Sequence, residues 1–207
     1  DPGHPWACNN LGYSLTERGI QLDRAAMLLE RAHKALPEEA SITDSLGWLR
    51  YKQGILDDRK DPVTGLVVTQ GAISLLQRAV GGNAGIENPI HLDHLGDALW
   101  QAGRRDDAQR AWERTESAVQ RILRGAGRGA SGDQSQLPSP AAIEEYRKLR
   151  DSASAKRRAA RAGEAVGVAP QFPGLGGPVP EPGAPTGPTG DSGGTRGSST
   201  PARSAAE

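Results

Sequence analysis

A leucine–glycine pair that returns three times in a fixed frame constrains this chain more than any other feature. Asn10-Leu11-Gly12-Tyr13 is followed by Ser45-Leu46-Gly47-Trp48 and then by His94-Leu95-Gly96-Asp97. Each pair meets a second glycine seven residues later, at Gly19, Gly54 and Gly103. Leu15 and Leu99 stand four residues after Leu11 and Leu95, on the same helical face. Small and bulky residues then recur at helical offsets: Ala25, Leu29 and Ala32; Ala72, Leu76 and Ala79; Ala108 and Trp112. Self-similarity of this kind marks stacked repeats rather than one globular core.

The spacing dictates a helical hairpin. Glycine inside a helix costs roughly 1 kcal/mol against alanine. Its return at Gly12, Gly47 and Gly96 therefore implies that a neighbouring helix comes close there. Ala25, Ala72 and Ala108 supply the opposing small surface. The second glycine ends the first helix, as glycine does just past a helix C-terminus. Asp23 and Asp106 stand where an N-cap opens the second helix. Such a hairpin has one apolar interface and cannot bury it alone.

In these residues the chain resembles the tetratricopeptide-repeat family. The resemblance covers about the first 115 residues, with repeats at about 5–37, 40–80 and 89–124 counting the extended last helix. Repeat two departs from the family in two ways. Roughly thirteen extra residues separate Leu56 from Ala72, and Arg50 replaces a bulky residue after Leu46-Gly47. The family commonly ends a repeat with Asp-Pro, so Asp1-Pro2 implies the C-terminal part of a longer array. The expected fold is all-α: a right-handed solenoid of about three hairpins, then a linker, one basic helix and a disordered tail.

The insert at 57–70 reads as a surface excursion. Asp61-Pro62-Val63-Thr64-Gly65 is turn chemistry and Leu66-Val67-Val68-Thr69 favours extended backbone, giving either a small hairpin or an irregular loop. Helix is expected to about Arg124, and residues 125–138 form a linker by composition. Ser139-Pro140 offers an N-cap and a first-turn proline for a helix over 140–162. Its thin stripe of Ile143, Tyr146, Leu149 and Ala153 suits a cap on the open end of the stack. A basic helical segment is expected over 139–166. Residues 167–207 carry too few apolar groups to order themselves. Cutting after Val166 is expected to move the melting temperature by less than about 2 °C.

Charge separates the parts. Residues 1–120 carry 13 basic and 17 acidic side chains, a net of −4, whereas residues 121–162 carry 10 and 4, a net of +6. A DNA-binding protein needs a basic folded face, so nucleic acid is not the expected partner. The basic run Lys156-Arg157-Arg158, with Arg161, lacks interleaved aromatic residues and reads as a solvated helix face. The competing class is a nucleic-acid or membrane-surface role for residues 147–161. No apolar run is long enough for a transmembrane helix.

Nothing in the sequence carries catalysis: no nucleophile elbow, phosphate loop or Cys-x-x-Cys pair is present. The chain is expected not to be an enzyme, and no cofactor is implied. His91, Asp93, His94 and Asp97 are the one cluster resembling metal ligands, but a polar helix surface explains them better than a metal site does. His33 stands on a charged helix and is expected to be solvated. Cys8 holds a core position of repeat one and reads as a buried hydrophobe.

The resemblance implies a concave groove lined by the first helix of each hairpin. By the Leu-Gly register that face carries Trp6, Asn9, Tyr13, Asp44, Trp48, Tyr51, Asp93, Asp97 and Trp100. Of these, Asn9, Tyr13, Asp44, Trp48, Tyr51, Asp93, Asp97 and Trp100 are the candidate partner-binding residues. Family members that clamp a terminal carboxylate use Lys, Arg and Asn there; here only Asn9 fits, and the aspartates would repel a carboxylate. A protein or peptide with Lys or Arg side chains, or one offering backbone amides, suits the face better. The expected function is therefore a peptide-binding scaffold. The alternative is a regulatory or substrate-recruiting arm of an enzyme whose catalytic domain lies outside these residues.

Overall fold

The computed structural model describes residues 3–82, 87–128 and 138–172. Among them are seven helices: α1 (Pro5–Glu17), α2 (Leu22–Ala35), α3 (Ala40–Lys52), α4 (Ala72–Gly81), α5 (Pro89–Gln101), α6 (Arg105–Arg128) and α7 (Pro140–Ala162). The first six form three antiparallel hairpins, α1–α2, α3–α4 and α5–α6, stacked in chain order. The architecture is an all-α helical-repeat solenoid.

The same local chemistry closes each first helix. Gly19, Gly54 and Gly103 have φ of +63°, +74° and +78°. In each case the next residue donates its N–H back across the turn: Ile20 to the Leu15 carbonyl at 3.1 Å, Ile55 to Arg50 at 2.9 Å and Arg104 to Leu99 at 2.9 Å. This is the Schellman ending, which satisfies helix carbonyls that would otherwise be orphaned. Helix starts are fixed by Asn88, whose side chain accepts from Ile90 N at 3.0 Å, and by Ser139, which accepts from Ala142 N at 3.2 Å. Asp23 and Asp106 lie inside the first turns of α2 and α6 rather than at their caps. There they complement the positive end of the helix dipole.

Packing assigns the mid-helix glycines a sharper role than close approach to alanine. A Cβ on Gly12 would sit 2.7 Å from Leu29 Cγ, and one on Gly47 would sit 2.9 Å from Leu76 Cγ. One on Gly96 would collide with the Trp112 indole. The opposing residue is thus the bulky one four places after each repeat alanine, seated in the notch that glycine leaves. Ala25, Ala72 and Ala108 are fully buried beside it. Leu46 and Leu95 are buried between hairpins, but their counterpart Leu11 is 42% exposed. No hairpin precedes α1 among the described residues, so Leu11 has nothing to pack against.

Arg50, the departure in repeat two, reaches across to α2 and pairs with Glu30 at 2.5 Å. The insert forms an antiparallel hairpin of β1 (Arg59–Lys60) and β2 (Val67–Thr69). Asp61 Oδ1 holds its turn by accepting from Val63 N at 3.0 Å and Thr64 N at 2.7 Å. The hairpin projects outward, with Val63 91% exposed.

Two further expectations meet a different arrangement. Helix α6 runs to Arg128, so the segment expected as linker from residue 125 begins as helix. Of the tail expected to be disordered, residues 167–172 are described and lie against the repeats; 173–207 lie outside the described residues.

The glycine notch is testable by substitution. Gly96→Ala should destabilise the chain by about 1–3 kcal/mol, because the new methyl overpacks Trp112. Gly125→Ala, on α6 with open space around it, should be neutral or stabilising by up to about 1 kcal/mol. Chemical denaturation of the two variants measures the contrast.

Candidate functional site

Helices α1, α3 and α5 pack side by side and form the face expected to be concave. The register placed the candidate residues there, yet most are covered. Trp48 and Asp44 are each 4% exposed, Tyr51 0%, Asp97 2% and Asp93 8%. Two elements do the covering: α7, and an irregular strap that follows Gly163.

Helix α7 brings a cation to the aspartates. Lys156 Nζ lies 2.9 Å from Asp93 Oδ2 and 2.6 Å from Asp97 Oδ1. Burial opposes the charge on Lys156, but Asp93 and Asp97 outweigh it and hold the ammonium above its usual pKa. Burial also pushes the Asp93 carboxyl up, against the attraction of Lys156. Trp112 Nε1 donates to Asp97 Oδ1 at 3.2 Å. The basic run on α7 is therefore not a uniformly solvated face. Lys156 points inward, and Arg157 pairs with Glu113 and Glu116, each at 3.0 Å. The reason is complementarity: buried carboxylates require a partner.

The strap clamps itself through its main chain. Ala169 N donates to Asp97 Oδ2 at 3.1 Å, and the Tyr51 hydroxyl donates to the Ala169 carbonyl. Both backbone groups of one residue are thus read by two groove side chains. Gln171 Nε2 donates to the Tyr51 carbonyl at 3.0 Å, and Phe172 N donates to the Lys52 carbonyl at 2.6 Å. The Phe172 ring lies over Gly19. Lys52 Nζ sits between rings, 4.9 Å from the Trp48 centroid and 5.7 Å from that of Phe172.

The aromatic candidates divide by role. Trp48 stacks on Tyr51 at 4.7 Å and on His94 at 3.9 Å, and its indole N–H donates to Glu17. It joins all three hairpins. Trp100 is half-buried against Trp112, with the Arg105 guanidinium 3.8 Å above its ring. Trp6 is 39% exposed. Tyr13 lines an open cleft of about 620 Å³ between α1, α5 and α7, with Glu17, Ile90, Tyr146 and Leu149. Asn9 and Tyr13 also line an adjoining cleft of about 240 Å³ with Asp44 and His91. Asn9 Oδ1 is buried there with no protein hydrogen-bond partner.

The four residues resembling metal ligands turn to different partners. Asp93 and Asp97 hold Lys156; His94 Nδ1 lies 3.0 Å from Asp44 Oδ2; His91 lies 3.2 Å from Asn88. Among the described residues no group of three or more such side chains is placed to hold a metal ion. His33 is half-buried rather than solvated, 2.6 Å from Arg78 of α4.

No family model matches the chain. Over 58 residues, 28% of its length, the chain is 41% identical to a TPR repeat-containing protein of Pseudomonas aeruginosa. That stretch spans 10% of the relative's length. With the threefold hairpin, its glycine notches and its Schellman endings, that stretch supports a likeness of architecture. The hairpins resemble tetratricopeptide repeats. Within that architecture, the residues that the register alone could not reveal are Lys156, Ala169 and Phe172. All three approach the groove from segments far along the chain. The inward turn of α7 had one visible signal, a basic segment downstream of an acidic repeat face. Ala169 and Phe172 had none.

Two measurements follow from this geometry. Burial alone would depress His94, but the charge and hydrogen bond of Asp44, then Asp93 and Asp97, raise it above 6.5. A raised histidine contributes stability that is complete below pH 6.5 and is lost as pH climbs through the raised value. His91, depressed first by burial, works in the opposite sense below that value. The His94 imidazole should titrate by NMR with a midpoint above 6.5, and Asp44→Asn should lower that midpoint. The strap is tested by truncation. A chain ending after Val166 should melt roughly 3–6 °C below one ending after Phe172, since about 1 kcal/mol moves a chain of this size by roughly 2–4 °C. This reverses the expectation from composition alone.

Proposed function

We propose that this chain is a non-catalytic scaffold whose concave tetratricopeptide groove holds an extended segment of a partner protein, with Lys or Arg side chains favoured. The observation that carries the reading is the clamp on Ala169. Asp97 and Tyr51 engage a peptide's own N–H and C=O, an interaction that any extended chain can make. Three supports stand beside it. One ammonium, Lys156, faces two carboxylates, Asp93 and Asp97, which leaves a net negative charge. The open cleft is rimmed by Glu17 and by Glu145, the latter paired with Lys148 of the same rim at 2.9 Å. Asn9 Oδ1 is an unused buried acceptor that a peptide N–H or a lysine would satisfy.

In this reading Trp48 and Tyr51 serve the groove by holding its shape, while Tyr13 and Asn9 meet the partner directly. Asp44, Asp93 and Asp97 set the charge preference from beneath, and Trp100 flanks the groove with its ring already covered by Arg105. The repeats act by binding alone, and among the described residues no helix is long and apolar enough to cross a membrane.

Peptides selected on the full chain from a random display library test this. They should be enriched in Lys and Arg. Tyr13→Ala should weaken them by about tenfold, the loss of one anchor. Glu17→Gln, which keeps the acceptor for Trp48, should slow their association and reduce its salt dependence. Peptides indifferent to both substitutions would move the binding surface to the convex side or the β1–β2 hairpin.

A further inference from the structure

We infer that the strap over 166–172 is a tethered occupant of a peptide site, and that the site takes an extended segment with an aromatic side chain three residues after its clamped residue. The inference rests on the groove reading above and names a subsite that the reading does not require.

The strap begins where α7 stops. Gly163 ends the helix with φ of +70°, Glu164 N closes the turn on the Ala159 carbonyl at 2.9 Å, and the chain doubles back toward α5 and α3. From residue 164 to 172 no helix or strand forms. Order there comes from the groove, through Asp97 and the Tyr51 hydroxyl on Ala169, the Tyr51 carbonyl on Gln171 and the Lys52 carbonyl on Phe172 N.

Phe172 is the one phenylalanine of the chain. Its ring rests on the turn between α1 and α2 because that turn is glycine. A Cβ on Gly19 would stand 2.6 Å from the ring. The positive φ that ends α1 and the shelf that admits the ring therefore need the same residue. Gly103, the equivalent turn of the third repeat, has no side chain over it. The shelf is completed by Lys52, whose ammonium faces the Phe172 ring on one side and the Trp48 ring on the other. Cation–π contact of this kind favours an aromatic occupant over an aliphatic one.

No strap side chain is fully buried: Val166, Val168, Ala169, Gln171 and Phe172 are all intermediate. Modest contacts suffice because the tether holds the segment at an effective concentration on the order of millimolar. A partner segment with the same backbone register, the same aromatic and additional contacts in the open cleft beside Tyr13 displaces it. Lys156 stays in place, since it belongs to α7 and not to the strap.

The probe is a fluorescently labelled peptide of residues 163–172, titrated against the full chain. Full-length Phe172→Ala should bind it at least about tenfold more tightly than the unaltered chain, because the competing anchor is gone. Full-length Ala169→Pro, which lacks the clamped N–H, should behave the same way, and circular dichroism should show both variants as helical as the parent. Against either variant, a peptide carrying Phe172→Ala should bind about tenfold more weakly than the native peptide. Equal binding to parent and variants, no binding to any of them at about 1 mM, or indifference to the peptide's own phenylalanine would each overturn the inference. None of these outcomes involves the Lys- and Arg-bearing peptides selected against Tyr13 and Glu17, so the groove reading stands or falls separately.

Discussion

The stack depends on a single steric relation, a bulky side chain of each second helix seated in the notch left by a glycine of the first. Leu29 fills the notch at Gly12, Leu76 that at Gly47, and Trp112 that at Gly96. A mid-helix glycine raises the local cost of folding by roughly 1 kcal/mol, and a buried large side chain returns about 1.5–3 kcal/mol, so the exchange favours the hairpin. Close helix contact then fixes the orientation of α1, α3 and α5 on one side of the stack. Everything that happens in the groove follows from that alignment, because it brings Asp44, Asp93 and Asp97 onto one surface.

Three carboxylates on one low-dielectric face would be unfavourable if left alone. The chain offsets them from two directions. His94 answers Asp44 from within the repeats, sandwiching its ring on Trp48. Lys156 answers Asp93 and Asp97 from α7. Removing one member of such a buried pair costs several kcal/mol, because it strands the other charge. Helix α7 is therefore part of the fold rather than an appendage. Its apolar contribution is small, with Ala153 fully buried and Ile143, Tyr146 and Leu149 only partly so.

What could be read in the sequence was whatever depends on local spacing. The hairpins, their terminating glycines and the span of α7 from Ser139-Pro140 to Ala162 all follow from neighbours within a few residues. So did the face on which the candidate residues lie, since helical register is local. Their exposure did not. Trp48 and Tyr51 looked like solvated anchors because little near them in sequence, beyond each other and Lys52, covers them. The groups that do are far away: Lys156 is 59 residues from Asp97, and Ala169 is 118 from Tyr51. The strap was also hidden by its chemistry. Val166-Gly167-Val168-Ala169-Pro170-Gln171 has the composition of a disordered tail, and it is held by its backbone, which leaves no trace in composition.

The two covering elements differ in how readily they can leave. Withdrawing α7 would expose Ala153 and leave Asp93 and Asp97 without their cation in a dry environment. Withdrawing the strap breaks a few hydrogen bonds whose donors and acceptors water can then satisfy, frees strap side chains that were never fully buried, and uncovers Tyr51 and Asp97. A neutral hydrogen bond exchanged for water contributes only about 1 kcal/mol, and one to a carboxylate such as that of Asp97 about 1.5–3 kcal/mol, against about 3–5 kcal/mol for a stranded buried charge. Gly163, at φ of +70°, already marks the junction between the two. Of the two covering elements, energetics thus favours release of residues 164–172. The cation stays in place when the strap leaves, and the Tyr51 hydroxyl and Asp97 carboxylate are uncovered beside it.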